Sequence, residues 1–467
     1  MELSRLLNGP EASLAEVLDA RERRAARQRE MLQRNCTLIS FTLNMPGPVK
    51  QFPLAKAFFK RGLERLERAL LCKGYKVERV ECFFDSAGSE AFLSVAAPAL
   101  EVKRIACDLE ESSPASRLYD MDVLTDVGVK IERAQIGHAS RTCLICGRPV
   151  MDCAPRRFHT APELARAAVT MMYEDECGAF AFRVASEAQR ALLSEVCVSP
   201  KPGLVDRLNN GSHADMDVFT FIDSACALLP YFVRCVRLGI EYADKTPQES
   251  FRALRLPGLE AEEAMRDATH GVNTHRGAIF TIGLFCAARG RLWAQGRSAK
   301  AETLACETAQ MVEEVKGEFL SGNSAGQRIY RESGVAGIRG EAVAGFPSVI
   351  SVSLPFFESL QKRGKSLNDA AALTLLRLIC AVDDTNMIKR SSLARFRRVQ
   401  TELAAQLAQE PDLPQEKIAV IDRAFIAENL SPGGCADLLA LTLLLHFLSR
   451  FENEIASWSE AENYKRS

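Results

Sequence analysis

The sequence predicts two domains of different fold class, an α+β domain followed by an all-α helical one. Its 467 residues exceed what one hydrophobic core usually supports. Upstream of residues 174–186 short β-type runs alternate with helices, and downstream the pattern is helical almost throughout. A hydrophobic content of 47% with 25% charged residues is that of a folded soluble chain. The domains are therefore placed at 1–176 and 177–467.

In the first half a helix over 19–34 carries Arg21, Arg23, Arg24, Arg27, Arg29 and Arg34 against Asp19, Glu22 and Glu30. Such a run is either a solvated face or a binding surface. A strand at 36–45, a helix at 55–72 and strands at 77–84 and 91–96 follow. The runs 121–125 and 129–131 read as a hairpin with Gly128 in its turn. In the second half helices are expected at 214–242, 259–268, 279–294, 302–319, 367–382 and 436–458. Ser212-x-x-Asp215 and Ser366-x-x-Asp369 look like capping boxes that open two of them.

A formal net charge of −1 gives no global attraction to nucleic acid or to a membrane surface. The longest apolar stretch, 435–448, contains Asp437 and His446 and is too short to cross a bilayer. The N-terminal M-E-L-S-R-L-L-N-G-P lacks a signal-peptide pattern. Fifteen cysteines, an odd number scattered through apolar patterns, fit buried free thiols in a reducing cytosol. A cytoplasmic protein with no nucleic-acid and no membrane partner is expected.

The chemistry is concentrated in a few segments. Residues 316–347 interleave Gly317, Gly322, Gly326, Gly334, Gly337, Gly340 and Gly345 with Lys316, Arg328, Arg331 and Arg339. No ordinary helix or strand suits that density, since each interior Gly costs about 0.5–1 kcal/mol relative to Ala. Glycine lets N–H groups close round a phosphate and Arg supplies a fixed fork of donors; a bare chain of turns is the other reading. Asn273–Gly277 precedes an apolar helix, so with Arg276 it forms an anion site at a helix N-terminus. Asp383, Asp384 and Asn386 end the helix 367–382, where acids oppose the helix dipole. A bound Mg²⁺ or a simple exposed turn explains them. Asp215 is either a capping-box carboxylate or a metal ligand, and His213 and His275 are either catalytic or loop polar residues with no catalytic role.

Asp120 and Asp122 lie on one face of a strand by period-two alternation, close enough to share a divalent cation. Cys143-x-x-Cys146 with Cys153 and His159 is either a Cys₃His structural zinc set or a group of free thiols.

The stretches S-P-K-P-G-L-V-D-R (199–207), G-V-N-T-H-R-G-A-I-F (271–280), A-G-Q-R-I-Y (325–330), I-R-G-E-A-V-A-G-F-P (338–347), D-T-N (384–386) and N-L-S-P-G-G-C-A-D-L-L (429–439) resemble the triphosphoribosyl-dephospho-CoA synthase family. They fall in order across residues 180–450. The resemblance implies ATP and 3′-dephospho-CoA as substrates, release of adenine, and a triphosphoribose joined to the ribose 2′-hydroxyl of dephospho-CoA. It implies Mg²⁺ on Asp384 and Asp215. Phosphate and nucleotide contacts would come from Lys201, Asn273, Arg276, Arg328, Arg331, Arg339, Gly340 and Asn386. Glu341 is then the candidate base for the accepting hydroxyl, and His275 the candidate that assists adenine departure.

The first half resembles the citrate lyase holo-acyl-carrier-protein synthase family, phosphoribosyl-dephospho-CoA transferases. The residues are R-E-R-R-A-A-R-Q (21–28), S-F-T-L-N-M-P-G-P-V-K (40–50), L-S-V-A-A-P-A (93–99), R-L-Y-D-M-D-V-L (117–124) and C-L-I-C (143–146) with Cys153 and His159. Where that family has a His and then Gly-Arg before Asp-x-Asp, this chain has S-S-P-A-S-R at 112–117. The resemblance implies transfer of the prosthetic group to a serine of the acyl carrier (gamma) subunit, with pyrophosphate released. Asp120 and Asp122 would hold Mg²⁺ there, and residues 44–50 would line the site. The product of the second half is thus the substrate of the first. The alternatives are the same chemistry serving malonate decarboxylase, or a phosphonucleotide- or carrier-binding module with a decayed N-terminal site.

Overall fold

The computed structural model describes residues 6–314, 317, 330–332, 334–459 and 464–466. The chain divides into two compact units, Met1–Cys177 with Ser457–Ser467, and Gly178–Ala456. The division falls inside two helices, α5 (Ala161–Cys197) and the last one, Gly433–Ser459.

The first unit is a small sheet with helices. Helix α1 (Leu14–Met31) starts at a capping box in which Ser13 and Glu16 bond each other's backbone N–H. It is followed by β1 (Thr37–Leu43), α2 (Pro53–Cys72), β2 (Val77–Asp85), β3 (Gly88–Val95), α3 (Ala99–Glu111) and β4 (Tyr119–Leu124). The strands run antiparallel in the order β4-β1-β3-β2, and β5 (Tyr464–Arg466) adds to the β2 edge. Alternation along each strand separates two faces. Ile39, Phe41, Ala91, Leu93, Tyr119, Met121 and Val123 bury against α2 and α3 in the main core. Phe41 stacks on Phe59, and Phe58 stacks on Tyr119. Gly62 of α2 keeps that approach possible, since a Cβ there would lie 2.7 Å from the Tyr119 ring.

The other face is mostly polar. Thr42 stands opposite Asp120 on one side and Glu90 on the other, and Ser40 opposite Asp122. Helix α1 covers part of it through Met31, which packs with Leu38 and Phe92. The arginines of α1 are not simply solvated: Arg24 and Arg27 bond Glu90 at 2.7 and 2.9 Å. The expected hairpin turn forms, with Thr125 N–H donating to Val129 O and Gly128 at φ +83°, but its second arm makes a single bridge, Leu124 with Lys130.

In the second unit every described element is helical. They are α6 (Val218–Ala227), α7 (Leu229–Glu241), α8 (Pro247–Ala268), α9 (Arg276–Ala294), α10 (Ala301–Met311), α11 (Gly337–Val343), a π-helical turn (Ser348–Ser353), α12 (Leu354–Lys362), α13 (Leu367–Ala381), α14 (Thr385–Arg390), α15 (Leu393–Gln409), α16 (Gln415–Ala427) and α17 (Gly433–Ser459). Helix α9 is buried on nearly every side. It crosses α7 backbone to backbone, because a Cβ at Gly239 would lie 2.0 Å from Ala287 O and one at Gly290 2.2 Å from Val236 O.

Several expectations change here. The single helix 214–242 is two helices, because Pro230 in the first turn of α7 has no N–H to continue the ladder. As one 24-residue stretch, Val218–Glu241 has the length and mean hydropathy (1.4) of a membrane span, with 28% of the tested window buried. The first helix is capped by Asp217, bonded to Thr220, and not by Ser212, whose hydroxyl donates to Leu430 O. Ser366 does cap α13. Helix α8 begins twelve residues earlier than expected and runs through Pro257. The Thr246–Glu249 capping box and the stripe Phe251, Leu254, Pro257, Ala261 and Met265 offset the roughly 3 kcal/mol that an interior Pro costs. The glycine-rich run, in its described part, contains the short helix α11 despite Gly337 and Gly340.

Candidate active sites

In the second unit a cavity of about 980 Å³ opens where the ends of α9, α11, α14 and α17 meet the loop 198–216. That loop is fixed by two buried acids. Asp206 accepts from the N–H groups of Lys201, Leu208 and Asn209; Asp422 accepts from Gly203 N–H and Asn209 Nδ2. Lys201 is thereby turned inward and pairs with Glu195 at 2.6 Å, both nearly fully buried.

Asp384 is where two helix N-termini meet. Its Oδ1 accepts from Asn386 and Met387 N–H at 2.8 and 3.2 Å, capping α14, and its Oδ2 accepts from Cys435 N–H at 2.9 Å, in the first turn of α17. An acid after the C-terminus of α13 is explained: it serves the next helix. Gly434 permits the contact, because a Cβ there would lie 3.0 Å from Oδ2. Burial pushes the Asp384 carboxyl up, against those N–H groups. Its neighbour Asp383 is turned to Arg397, which holds both oxygens at 2.6 and 3.0 Å.

Asp437, in the first turns of α17, reaches the start of α9. A Cβ on Gly277 would lie 1.8 Å from its Oδ2. Burial, then Glu195 and Asp384, push this carboxyl far above the usual range. Arg339 is shifted the other way by burial and by Arg276 and Arg255. The wall thus has an acidic group, Glu195, Asp384 and Asp437, and a cationic group, Arg255, Arg276 and Arg339. Arg276 is held by Glu262 at 3.2 Å.

His275 sits just before α9. Thr274 Oγ1 donates to Ser224 Oγ at 2.8 Å, and Ser224 Oγ is hydrogen-bonded to His275 Nδ1 at 2.7 Å, the direction following the ring's tautomer. Its Nε2 is buried without a partner. Burial, aided by Lys201, lowers its pKa to about 3. This imidazole is neutral and not a ready source of a proton. His213, in contrast, has both nitrogens engaged, Nδ1 by Arg390 at 3.2 Å and Nε2 by Ser431 Oγ at 2.9 Å.

Of the residues expected from sequence, Lys201, Asp215, Asn273, His275, Arg276, Arg339, Asp384 and Asn386 line this cavity. Gly340, Glu341 and Arg331 do not. The Glu341 carboxylate is occupied by Ser348, accepting from its hydroxyl at 2.6 Å and its N–H at 3.2 Å. Arg331 is exposed, and Arg328 lies outside the described residues. Sequence reading missed Glu195 and Asp437. The available signal for Asp437 was an acid inside the longest apolar stretch of the chain.

The first unit has its own cavity, about 710 Å³, lined by Asn44, Lys50, Arg117, Arg133, Arg141 and Arg157 among others. Buried Glu110 gathers these cations, accepting from Arg133 and Arg141 at 2.7 Å each and from Met121 N–H at 2.9 Å. Arg141 reaches on to Asp120 at 3.1 Å, and Asp122 pairs with Lys130 at 2.8 Å. The two acids share the strand face as expected but lie beside this cavity and not on its wall. Lys50 donates to Met45 O, and burial together with Arg21 lowers its pKa. Of the segment 44–50, Asn44, Met45, Pro46 and Lys50 line the cavity. In the 112–117 segment Ser112, Ser113 and Ser116 bond one another and Arg117 turns to Thr142 and Cys143. Cys143, Cys146, Cys153 and His159 bring their ligand atoms within 4.8 Å of one another, a set able to hold a metal.

Residues 12–175 match the CitX family, described as apo-citrate lyase phosphoribosyl-dephospho-CoA transferase, and residues 181–455 match the CitG family, described as ATP:dephospho-CoA triphosphoribosyl transferase. The chain is 35% identical over 460 residues to Protein CitXG of Haemophilus influenzae, covering 94% of this chain and 97% of that protein. It is 32% identical to Protein CitXG of Leuconostoc mesenteroides subsp. cremoris with the same coverage. A probable 2-(5″-triphosphoribosyl)-3′-dephosphocoenzyme-A synthase of Vibrio cholerae is 41% identical over 271 residues, 56% of this chain and 86% of its own length. Both resemblances read from the sequence are borne out, and the chain belongs to the CitXG family, a two-activity transferase with its CitX-like and CitG-like parts in one polypeptide.

Proposed function

We propose that residues 177–467, an all-α domain, convert ATP and 3′-dephospho-CoA to 2′-(5″-triphosphoribosyl)-3′-dephospho-CoA and adenine. Residues 1–176, an α+β domain, then transfer that group to a serine of the apo acyl carrier (gamma) subunit of citrate lyase. The observation that supports this reading most is the divided wall of the larger cavity, cationic around Arg276 and Arg339 and acidic around Asp384 and Asp437.

In the first reaction the 2′-oxygen of dephospho-CoA bonds to C1′ of the ATP ribose as the C1′–N9 bond breaks. Adenine leaves with that electron pair and gains a proton, while the attacking hydroxyl loses one. Arg276 and Arg339 hold the triphosphate, with Arg328 and Arg331 as further candidates. Positive charge building at C1′ would be met by the carboxyl oxygens of the acidic group. His275 donates Nε2–H as a neutral hydrogen bond to the substrate, and Lys201, Asn273 and Asn386 orient the nucleotide.

Mg²⁺ fits the donors present, hard carboxylate oxygens beside a phosphate site, with one or two protein carboxylates sufficing. Asp384, which accepts from three N–H groups and from the Cys435 thiol, would hold it with Asp215 or Asp437 in place of the thiol, neutralising polyphosphate charge. In the second reaction the carrier serine Oγ bonds to the α-phosphorus and the α–β phosphoanhydride breaks, releasing pyrophosphate. Asp120 and Asp122 would hold Mg²⁺ against that leaving group while Arg117, Arg141 and Lys50 bind its oxygens. Fifteen free cysteines support a cytoplasmic setting.

The test is to incubate the full chain with ATP, Mg²⁺, 3′-dephospho-CoA and the apo carrier subunit of citrate lyase, following adenine and carrier mass together. Adenine with a mass gain on the carrier is expected. Adenine with modification only of the malonate decarboxylase carrier would move the partner assignment, and no adenine would overturn the reading.

A further inference from the structure

Between residues 132 and 164 only two side chains are buried, and both are cysteines, Cys143 and Cys153. Before the helix that starts at Ala161 the segment has only a 3₁₀ turn, Arg133–Ile136, and one short α-helix, α4 (Val150–Cys153), and it leaves Ile145, Val150, Met151 and Phe158 exposed. Among the described residues, Leu144 is its one apolar side chain packed on the main core. A segment with so little apolar burial does not hold a shape by the hydrophobic effect; small units of this kind are held by a cross-link or a metal.

The geometry discriminates between these. Cys146 and Cys153 have their sulfurs 3.8 Å apart. A disulfide needs about 2.0 Å, whereas two thiolates on a tetrahedral Zn²⁺, each at about 2.3 Å, stand about 3.8 Å apart. Cys143 and His159 complete a group whose four ligand atoms all lie within 4.8 Å of one another. The Nε2 of His159 is buried with no hydrogen-bond partner, as a ligand nitrogen would be.

The backbone is shaped for the same end. Cys143 N–H donates to Arg148 O at 2.7 Å and Gly147 N–H to Cys143 O at 3.2 Å, with Gly147 at φ +69°. This tight turn presents Cys143 and Cys146 together, and the N–H groups of Cys146 and Ile145 point at the Cys143 sulfur. Three thiols and an imidazole are soft donors that select zinc over magnesium or calcium, and four protein ligands leave no open position for substrate.

We propose that Cys143, Cys146, Cys153 and His159 bind one Zn²⁺ in a closed, structural site. Its role is to fix one wall of the smaller cavity. Arg117 donates to the carbonyls of Thr142 and Cys143 at 2.8 and 3.0 Å, and Arg141, which reaches Asp120, lies two residues before the first ligand. The proposal is independent of the identity of the transferred group.

The experiment is elemental analysis of the full chain, produced without a polyhistidine tag and dialysed against metal-free buffer. About one zinc per chain is expected in the wild type, falling below about a tenth in Cys146→Ser and in Cys153→Ser, as for loss of one of four ligands. Cys72→Ser, an exposed thiol outside the cluster, keeps its zinc. Replacement by Co²⁺ gives tetrahedral d–d bands with thiolate charge transfer, and chelation speeds tryptic cleavage after Arg156 and Arg157. Adenine release by Cys146→Ser, unchanged, shows that the second unit is folded, and an unchanged far-UV circular dichroism spectrum shows that the first unit keeps its sheet and helices. Wild type that takes up no zinc when it is added, zinc retained by both serine variants, or a Cys146–Cys153 disulfide in peptide mapping would each overturn the site.

Discussion

Asp384 in the second unit is almost wholly buried and held by three backbone N–H groups, whereas Asp120 in the first has a 43% exposed side chain held by the guanidinium of Arg141. The same residue type is fixed by helix ends in one cavity and by a long side-chain cation beside the other. Backbone donors cannot leave, so the larger cavity keeps its charge pattern whether or not substrate is present. Arg141 and Lys130 can exchange carboxylate for phosphate, so the smaller site can rearrange as a polyphosphate and metal arrive. A preorganised site and an exchangeable one should respond differently to the same kind of substitution.

The largest effect expected is on the acids themselves. Asp384→Ala should lower adenine release by about 10²–10³-fold, the usual cost of removing a preorganised electrostatic group. Carrier modification from supplied triphosphoribosyl intermediate should be unchanged. The double variant Asp120→Asn, Asp122→Asn should do the reverse, abolishing carrier modification while adenine release persists. Parallel adenine and carrier-mass assays on both variants decide it. Loss of both activities in either variant would show that the two sites do not work separately.

What the sequence made legible follows the same division. The alternation in Tyr119–Leu124 declared which face carries Asp120 and Asp122, because a strand assigns its faces by period two alone. The helices of the second unit were legible in kind but less so at their ends. Pro257 stays inside α8 because its burial is decided by tertiary packing, and Asp217 takes the cap because the loop 198–216 carries Ser212 away to Leu430. Lys201, His275, Arg276, Arg339 and Asp384 were nameable because they stand in polar clusters that interrupt apolar helices. Glu195 and Asp437 were not, because their importance comes from facing one another across separate helices, a relation absent from any local window.

A second test concerns His275, whose pKa is lowered to about 3 by burial. Its ordinary value is about 6.5, so the unfolded chain binds a proton that the folded chain refuses. Stability contributed by the neutral ring is therefore complete above pH 6.5 and lost as pH falls toward 3, at about 1.4 kcal/mol per pH unit. Between pH 7 and pH 5 the wild type should lose about 2 kcal/mol from this group, and His275→Asn should lose that much less. Urea unfolding at the two pH values measures it. The accompanying rate profile for adenine release should show no ionisation of His275 near pH 6.5. An inflection there, abolished by His275→Asn, would mean that the ring is solvated when substrate binds and that the larger cavity is less rigid than its backbone contacts indicate.

The smallest effect separates a residue that belongs to a motif from one that belongs to a site. Glu341 lies in a stretch that carries the family resemblance, yet its carboxylate faces Ser348 and not the cavity. As the general base, its replacement by Gln would cost about 10²–10⁴-fold; as a brace for the turn after α11, Glu341→Gln should change adenine release by no more than about 3-fold. The amide can still accept from Ser348, so the stability cost should be about 1 kcal/mol or less. Rate and thermal midpoint measured on the same preparation distinguish the two. A large rate loss with an unchanged midpoint would place Glu341 back at the reacting hydroxyl and require α11 to move when substrate binds. A small rate loss with a slightly lower midpoint assigns this part of the motif to shaping the backbone that carries Arg339.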